Sequence, residues 1–170
     1  MAQKPTTVGD VANSDTPENR AALQKELDAL TTDGTLSRGH SFDSANAAAK
    51  SVLEITAPLS AEYGLEVGGN IYQGKGSSYH YTLPQIGSAG SVGIRSGWAG
   101  YHTHPSGGLR FSNRISRADP RAIDSVWVNS NNRALYLGVQ RFNGSLGIAV
   151  CEPGSCSNIQ RGGTVGRVIQ

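Results

Sequence analysis

The chain predicts an α+β protein, with a helical N-terminal part followed by a mostly antiparallel sheet. Three observations lead there. Apolar residues recur at helical spacing only before residue 60, and short β-rich runs bounded by turn residues fill the rest. Glycine is abundant, at 22 of 170 residues, which favours strands and turns over a helical bundle. That length suits one domain, and hydrophobic residues at 37% supply an adequate core.

Residues 1–15 are polar, lack a core pattern and read as an arm or linker. Thr16-Pro17-Glu18 is a helix start, with Thr as N-cap and Pro at the first helical position. Ala22, Leu23, Leu27 and Leu30 follow at helical spacing, up to Gly34. A loop over 31–39 leads to a second helix starting near Asp43 or Ser44. It runs through Ala47, Ala48, Val52 and Leu53, with Pro58 as its limit. This divides the chain into a segment 1–39, an arm with one helix, and a main domain 40–170.

Beyond Pro58 the texture changes. Residues 63–72 read as a strand with a break or bulge at Gly68-Gly69. Residues 79–83 form a strand ended by Pro84, with His80 between two tyrosines as a sheet-face residue. The Gly/Ser-rich stretch 86–97 is a turn or short strands. A strand over 98–104 runs into His102-Thr103-His104-Pro105, and 105–120 is a polar loop. Residues 120–124 suit a short helix. Strands follow over 126–130, 134–139 and 146–150, with Asn131-Asn132 and Asn143-Gly144 as turns. Trp98 and Trp127 read as core residues.

Charge and composition remove several classes. The net charge is +2 and no Lys/Arg cluster is interleaved with aromatics, so no nucleic-acid partner is expected. No apolar run approaches a membrane span, so no insertion is expected. The N-terminus lacks the apolar region of a cleaved secretory signal. The protein is therefore expected to be cytoplasmic, to leave the cell without such a signal, or to be a domain of a longer chain. Cys151 and Cys156 flank a Pro-Gly turn. Their spacing does not match a zinc knuckle, and both a local disulfide and two free thiols are open.

The histidine pair carries the chemistry. In a strand, residues one apart point to the same side, so His102 and His104 would present two imidazoles together. Two imidazoles and one carboxylate leave a zinc ion with an open fourth position, the catalytic pattern. Asp119, fifteen residues beyond His104, supplies a carboxylate, with Asp124 as the fallback. Bound zinc lowers the pKa of water to about 7, and a nearby carboxylate must then carry the proton. Glu66, in Tyr63-Gly-Leu-Glu-Val-Gly-Gly-Asn-Ile-Tyr72, is the candidate, and Glu62 the alternative. A hydroxyl donor facing the developing oxyanion would come from Ser116 or Ser112. The plainer readings are a chance histidine pair on a surface strand and Asp119 as a helix cap.

The order Glu66 … His102-Thr-His104-Pro … Ser116-Arg-Ala-Asp119 resembles the JAMM (MPN or JAB) zinc metalloprotease motif. The closest likeness is to the bacterial branch described as DUF4329, whose members look like C-terminal modules of Rhs and other polymorphic toxins. The similarity runs from about Ser41 to about Leu146. It implies a curved sheet flanked by helices. It also implies zinc held by His102, His104 and Asp119, Glu66 as general base, and a serine at the oxyanion. The family's usual spacing puts that serine at Ser112 and the aspartate at Ile115; Ser116 and Asp119 fit with four extra loop residues.

The expected activity is thus a zinc-dependent peptidase or isopeptidase, the tip of a secreted effector acting on a protein or peptide. The resemblance adds a cognate immunity protein as a partner. A metal-dependent nuclease toxin and a non-catalytic binding module on the same scaffold are the competing classes. Arg110, Arg114, Arg117 and Arg121 are either a solvated loop or a substrate-facing rim.

Overall fold

The computed structural model describes residues 14–88, 92–95, 98–105, 133–140, 144–153 and 167–169. Helix α1 spans Pro17–Thr32, and the Thr16 hydroxyl accepts the Asn19 N–H at its N-terminus. This is the capped, proline-led start that the local sequence dictates. Leu23 and Leu27 are buried with Leu36 in the same apolar cluster as the sheet. The helix assigned to the arm is therefore packed on the body, each leucine contributing roughly 1.5–3 kcal/mol of burial.

Helix α2 spans Ala45–Tyr63, capped by the Ser44 hydroxyl on the Ala47 N–H. Pro58 lies inside it and does not limit it. The proline removes one donor, and the carbonyl left without that donor belongs to Glu54, an exposed residue. The turns beyond it bury Ser60, Ala61 and Tyr63, so packing outweighs the lost bond. The helix ends at Gly64, whose φ of 69° is the left-handed cap that glycine adopts without strain. Residue 63, expected to open a strand, is thus the last helical residue.

Among the described residues, seven strands form one sheet: β1 Val67–Gln73, β2 Tyr79–Tyr81, β3 Gln85–Ile86, β4 Ala99–His104, β5 Leu135–Gln140, β6 Leu146–Cys151 and β7 Arg167–Val168. The order is β2-β1-β4-β5-β6-β7, with β3 also on β1. A short 3-10 turn, Lys75–Ser77, joins β1 to β2. Every pairing is antiparallel except β4 with β5, which makes the sheet mixed. β1 is continuous through Gly68 and Gly69, so the expected break is absent. Of the remaining expectations, the short helix at 120–124, the strand at 126–130, Trp127, Asn131-Asn132 and Asn143 lie outside the described residues.

Registers sort the side chains onto two faces. Val67, Ile71, Tyr101, Tyr136, Ile148 and Val150 face α2 and form the core with Ala48, Ala49, Val52 and Leu53. A Cβ on Gly138 would lie 2.9 Å from the Leu53 side chain, so this glycine sets how closely α2 lies on the sheet. Tyr136 reaches across to donate its hydroxyl to Asn46 of α2 at 2.7 Å. The opposite face carries Gly68, Asn70, Gly100, His102, His104, Leu135, Leu137 and Val139. Cys151, at the end of β6, is disulfide-bonded; Cys156 lies outside the described residues.

Candidate metal centre

Alternation along β4 does what the His-x-His spacing requires. Thr103 turns to the α2 face, where its hydroxyl accepts the Val67 N–H at 2.9 Å and donates to the Val67 carbonyl at 3.3 Å. His102 and His104 project from the other face, with ring centroids 5.1 Å apart and planes at 70°. Both are buried, as is Pro105.

Glu66 precedes β1 and shares the parity of Gly68 and Asn70, so its side chain belongs to the histidine face. Its backbone is held on both sides, the N–H donating to Ser88 and the carbonyl accepting from Gly87, each at 2.8 Å. The carboxylate is buried, with Oε1 4.0 Å from His104 Nε2. Glu62 sits exposed on the last turn of α2. The fold therefore brings Glu66, and not Glu62, to the histidines.

Burial sets the charge state of the pair. Desolvation pushes the His102 pKa down to about 4, against the opposing effect of a backbone hydrogen bond with Tyr136. Desolvation, with the neighbouring His102 adding to it, holds His104 well below the ordinary imidazole value. Both rings are neutral at pH 7 and keep a lone pair, the form that binds metal. The Nδ1 atom of His102 is buried without a hydrogen-bond partner, a state that costs free energy unless something occupies it.

Among the described residues, no group of three or more His, Cys, Asp or Glu is placed so that it could hold a metal ion. The third ligand expected from the sequence, Asp119, its alternative Asp124, the hydroxyl candidates Ser112 and Ser116, and Arg110, Arg114, Arg117 and Arg121 lie outside the described residues.

A strap over the histidine face was not visible in the sequence. The Asn70 side chain accepts the Arg95 N–H at 2.9 Å and donates to the Arg95 and Ala99 carbonyls at 2.9 and 3.2 Å. It thereby fixes residues 92–95 above the sheet. Gly68 and Gly100 make room: a Cβ on Gly68 would lie 2.7 Å from both Val92 and the Tyr101 carbonyl, and one on Gly100 would lie 2.6 Å from Ile94. Gly68 pairs directly with His102. The only sequence signal for this device was Gly68 and Asn70 at alternate positions beside Glu66. Trp98, expected in the core, is half-buried and lies tilted against the Tyr72 ring at 5.0 Å.

Comparison of the chain with protein-family models, curated proteins and solved structures finds no match.

Proposed function

We propose that the chain is a zinc-dependent amide-bond hydrolase, a peptidase or isopeptidase of JAMM type, serving as the toxin or effector domain of a delivered protein. The observation that carries this reading is the convergence of two neutral, buried imidazoles with one buried carboxylate, Glu66, 4.0 Å from His104. The donor set suits zinc, and the unpartnered His102 Nδ1 is a polar atom that an ion would satisfy. His102 and His104 would hold the metal together with Asp119, and a bound zinc ion supplies Lewis acidity and acidifies water.

The remaining roles fall to the chain's own residues. The Glu66 carboxylate takes a proton from the attacking water and returns it to the departing amine nitrogen. Its backbone clamp by Gly87 and Ser88 keeps it aimed at that position. The Val92 and Ile94 strap helps to shield the face from bulk solvent, which strengthens the electrostatics there. Ser116 or Ser112 would donate to the oxyanion. The effector role and the immunity-protein partner rest on the family resemblance. No helix among the described residues is long and apolar enough to cross a membrane.

The test is elemental analysis followed by peptide-library hydrolysis read by mass spectrometry. We expect about one zinc per chain, lost in the His102→Ala/His104→Ala double variant. Glu66→Gln should keep zinc while amide hydrolysis falls by about 10²–10⁴-fold. Wild-type protein without zinc after metal supply and removal of excess would overturn the reading.

A further inference from the structure

Beyond the metal centre, the histidine face continues along β1 from Asn70 to Tyr72. Tyr72 lies in a run of four groups. Its ring stacks with His80 at 5.4 Å and 24° and lies tilted against Trp98 at 5.0 Å and 32°; the Arg95 guanidinium then sits 4.6 Å over the Trp98 ring. Tyr72 and Trp98 together form a ridge between two cavities of about 480 and 500 Å³. Arg133 and Gln73 line the first; Arg38, Arg95 and Gln85 line the second.

Among the described residues, no carboxylate lines either cavity. The three arginines are exposed, and no ion pair engages them among those residues. Glu152 neighbours Pro153 in sequence but does not line the first cavity. Such a site selects for negative charge. Guanidinium groups pair with carboxylates through two parallel hydrogen bonds, and aromatic ring edges carry partial positive charge. The Gln73 and Gln85 amides supply donors and acceptors for a peptide backbone.

We propose that the Tyr72–Trp98 ridge with Arg38, Arg95 and Arg133 is a binding site for an acidic peptide segment. A single-stranded nucleic acid would bring the same charge, but it binds by stacking bases on open ring faces. Tyr72 already has two ring neighbours, and Trp98 has Tyr72 and Arg95, so a base would have to displace one of them. Carboxylates need no ring face. Glu66 and Tyr72 are six residues apart, about 20 Å at the rise of an extended strand. Residues 92–95 cover β1 between the two, so a peptide held at the ridge would have to pass over that strap to be substrate at the histidines. Only a role of the bound segment as substrate rests on the hydrolase reading.

The experiment is fluorescence anisotropy with a labelled oligoglutamate peptide, on wild type and on Glu66→Gln so that binding is read without cleavage. Oligolysine and oligothymidylate serve as comparison probes. Oligoglutamate should bind at least about tenfold more tightly than either, and added salt should weaken it. Reversing the exposed cations in Arg38→Glu/Arg95→Glu/Arg133→Glu should weaken binding by at least about tenfold with the circular dichroism spectrum unchanged. Trp98→Ala should weaken it several-fold. Equal or tighter binding of oligothymidylate would replace the proposal with a nucleic-acid site. No oligoglutamate binding, or binding indifferent to the charge reversal, would overturn it. None of these readouts passes through catalysis, so the ridge and the metal centre stand or fall separately.

Discussion

Acidifying the metal-free protein should destabilise it through the buried histidines, and the size follows from His102. In the fold its pKa is about 4, against 6.5 for an ordinary imidazole. Below pH 6.5 the unfolded chain takes up a proton that the folded chain refuses until about pH 4. The unfolded state therefore binds more protons in that window, and stability is lost as pH falls through it. Linkage gives a loss of about 2 kcal/mol at pH 5 and about 3 kcal/mol at pH 4 from this one residue. His104 acts in the same direction. The assay is urea unfolding in chelator at pH steps from 7.5 to about 4.5, on wild type and His102→Gln. Other carboxylates contribute to acid loss in both proteins, so the difference between the two curves reports His102 together with its effect on His104. The variant should lose clearly less stability than wild type between pH 7 and 5. Parallel curves would mean that His102 is solvated and titrates normally, and the case for a neutral, metal-ready pair would fail with it.

Two further substitutions probe the strap. Gly68→Ala places a Cβ 2.7 Å from the Tyr101 carbonyl and Val92, and the backbone oxygen cannot give way cheaply. It should cost about 1–3 kcal/mol in urea unfolding, and a loss under about 0.5 kcal/mol would show that the strap does not bear on the strand. Asn70→Leu removes three hydrogen bonds to the main chain of Arg95 and Ala99. It should lower stability by about 1–3 kcal/mol and accelerate amide exchange at Arg95, with α1 amides unchanged; unchanged exchange at Arg95 would reject the anchoring role.

The parts legible in the sequence are those decided by neighbours a few residues apart. Thr16-Pro17 and Ser44 cap their helices through local hydrogen bonds. His102 and His104 share a face because strand geometry repeats every two residues. Where the structure departs from the local rules, the cause is a distant partner. Pro58 marks a helix end by local rules, but burial of Ser60, Ala61 and Tyr63 carries α2 past it. Gly68 and Gly69 suggest a break, yet their role is clearance, for Val92 on one face and Tyr101 on the other. Trp98 reads as a core residue in the sequence, whereas it is half-buried and forms one wall of two cavities. The parallel pairing of β4 with β5 joins residues thirty-five positions apart, such as Tyr101 and Tyr136. Glu66 was distinguishable from Glu62 only by its neighbouring glycines; in three dimensions one is buried beside His104 and the other faces water.

Asn70 grips the strap by its main chain and ignores its side chains. The peptide path over the sheet is thus fixed independently of what the strap displays outward. Gly93 and Arg95, both exposed, can be exchanged without loosening the anchor, while Val92 and Ile94 stay seated over the glycines. A lip built this way is a tunable part: its outward chemistry can diversify by point substitution, in evolution or by design, while the sheet face beneath keeps its geometry.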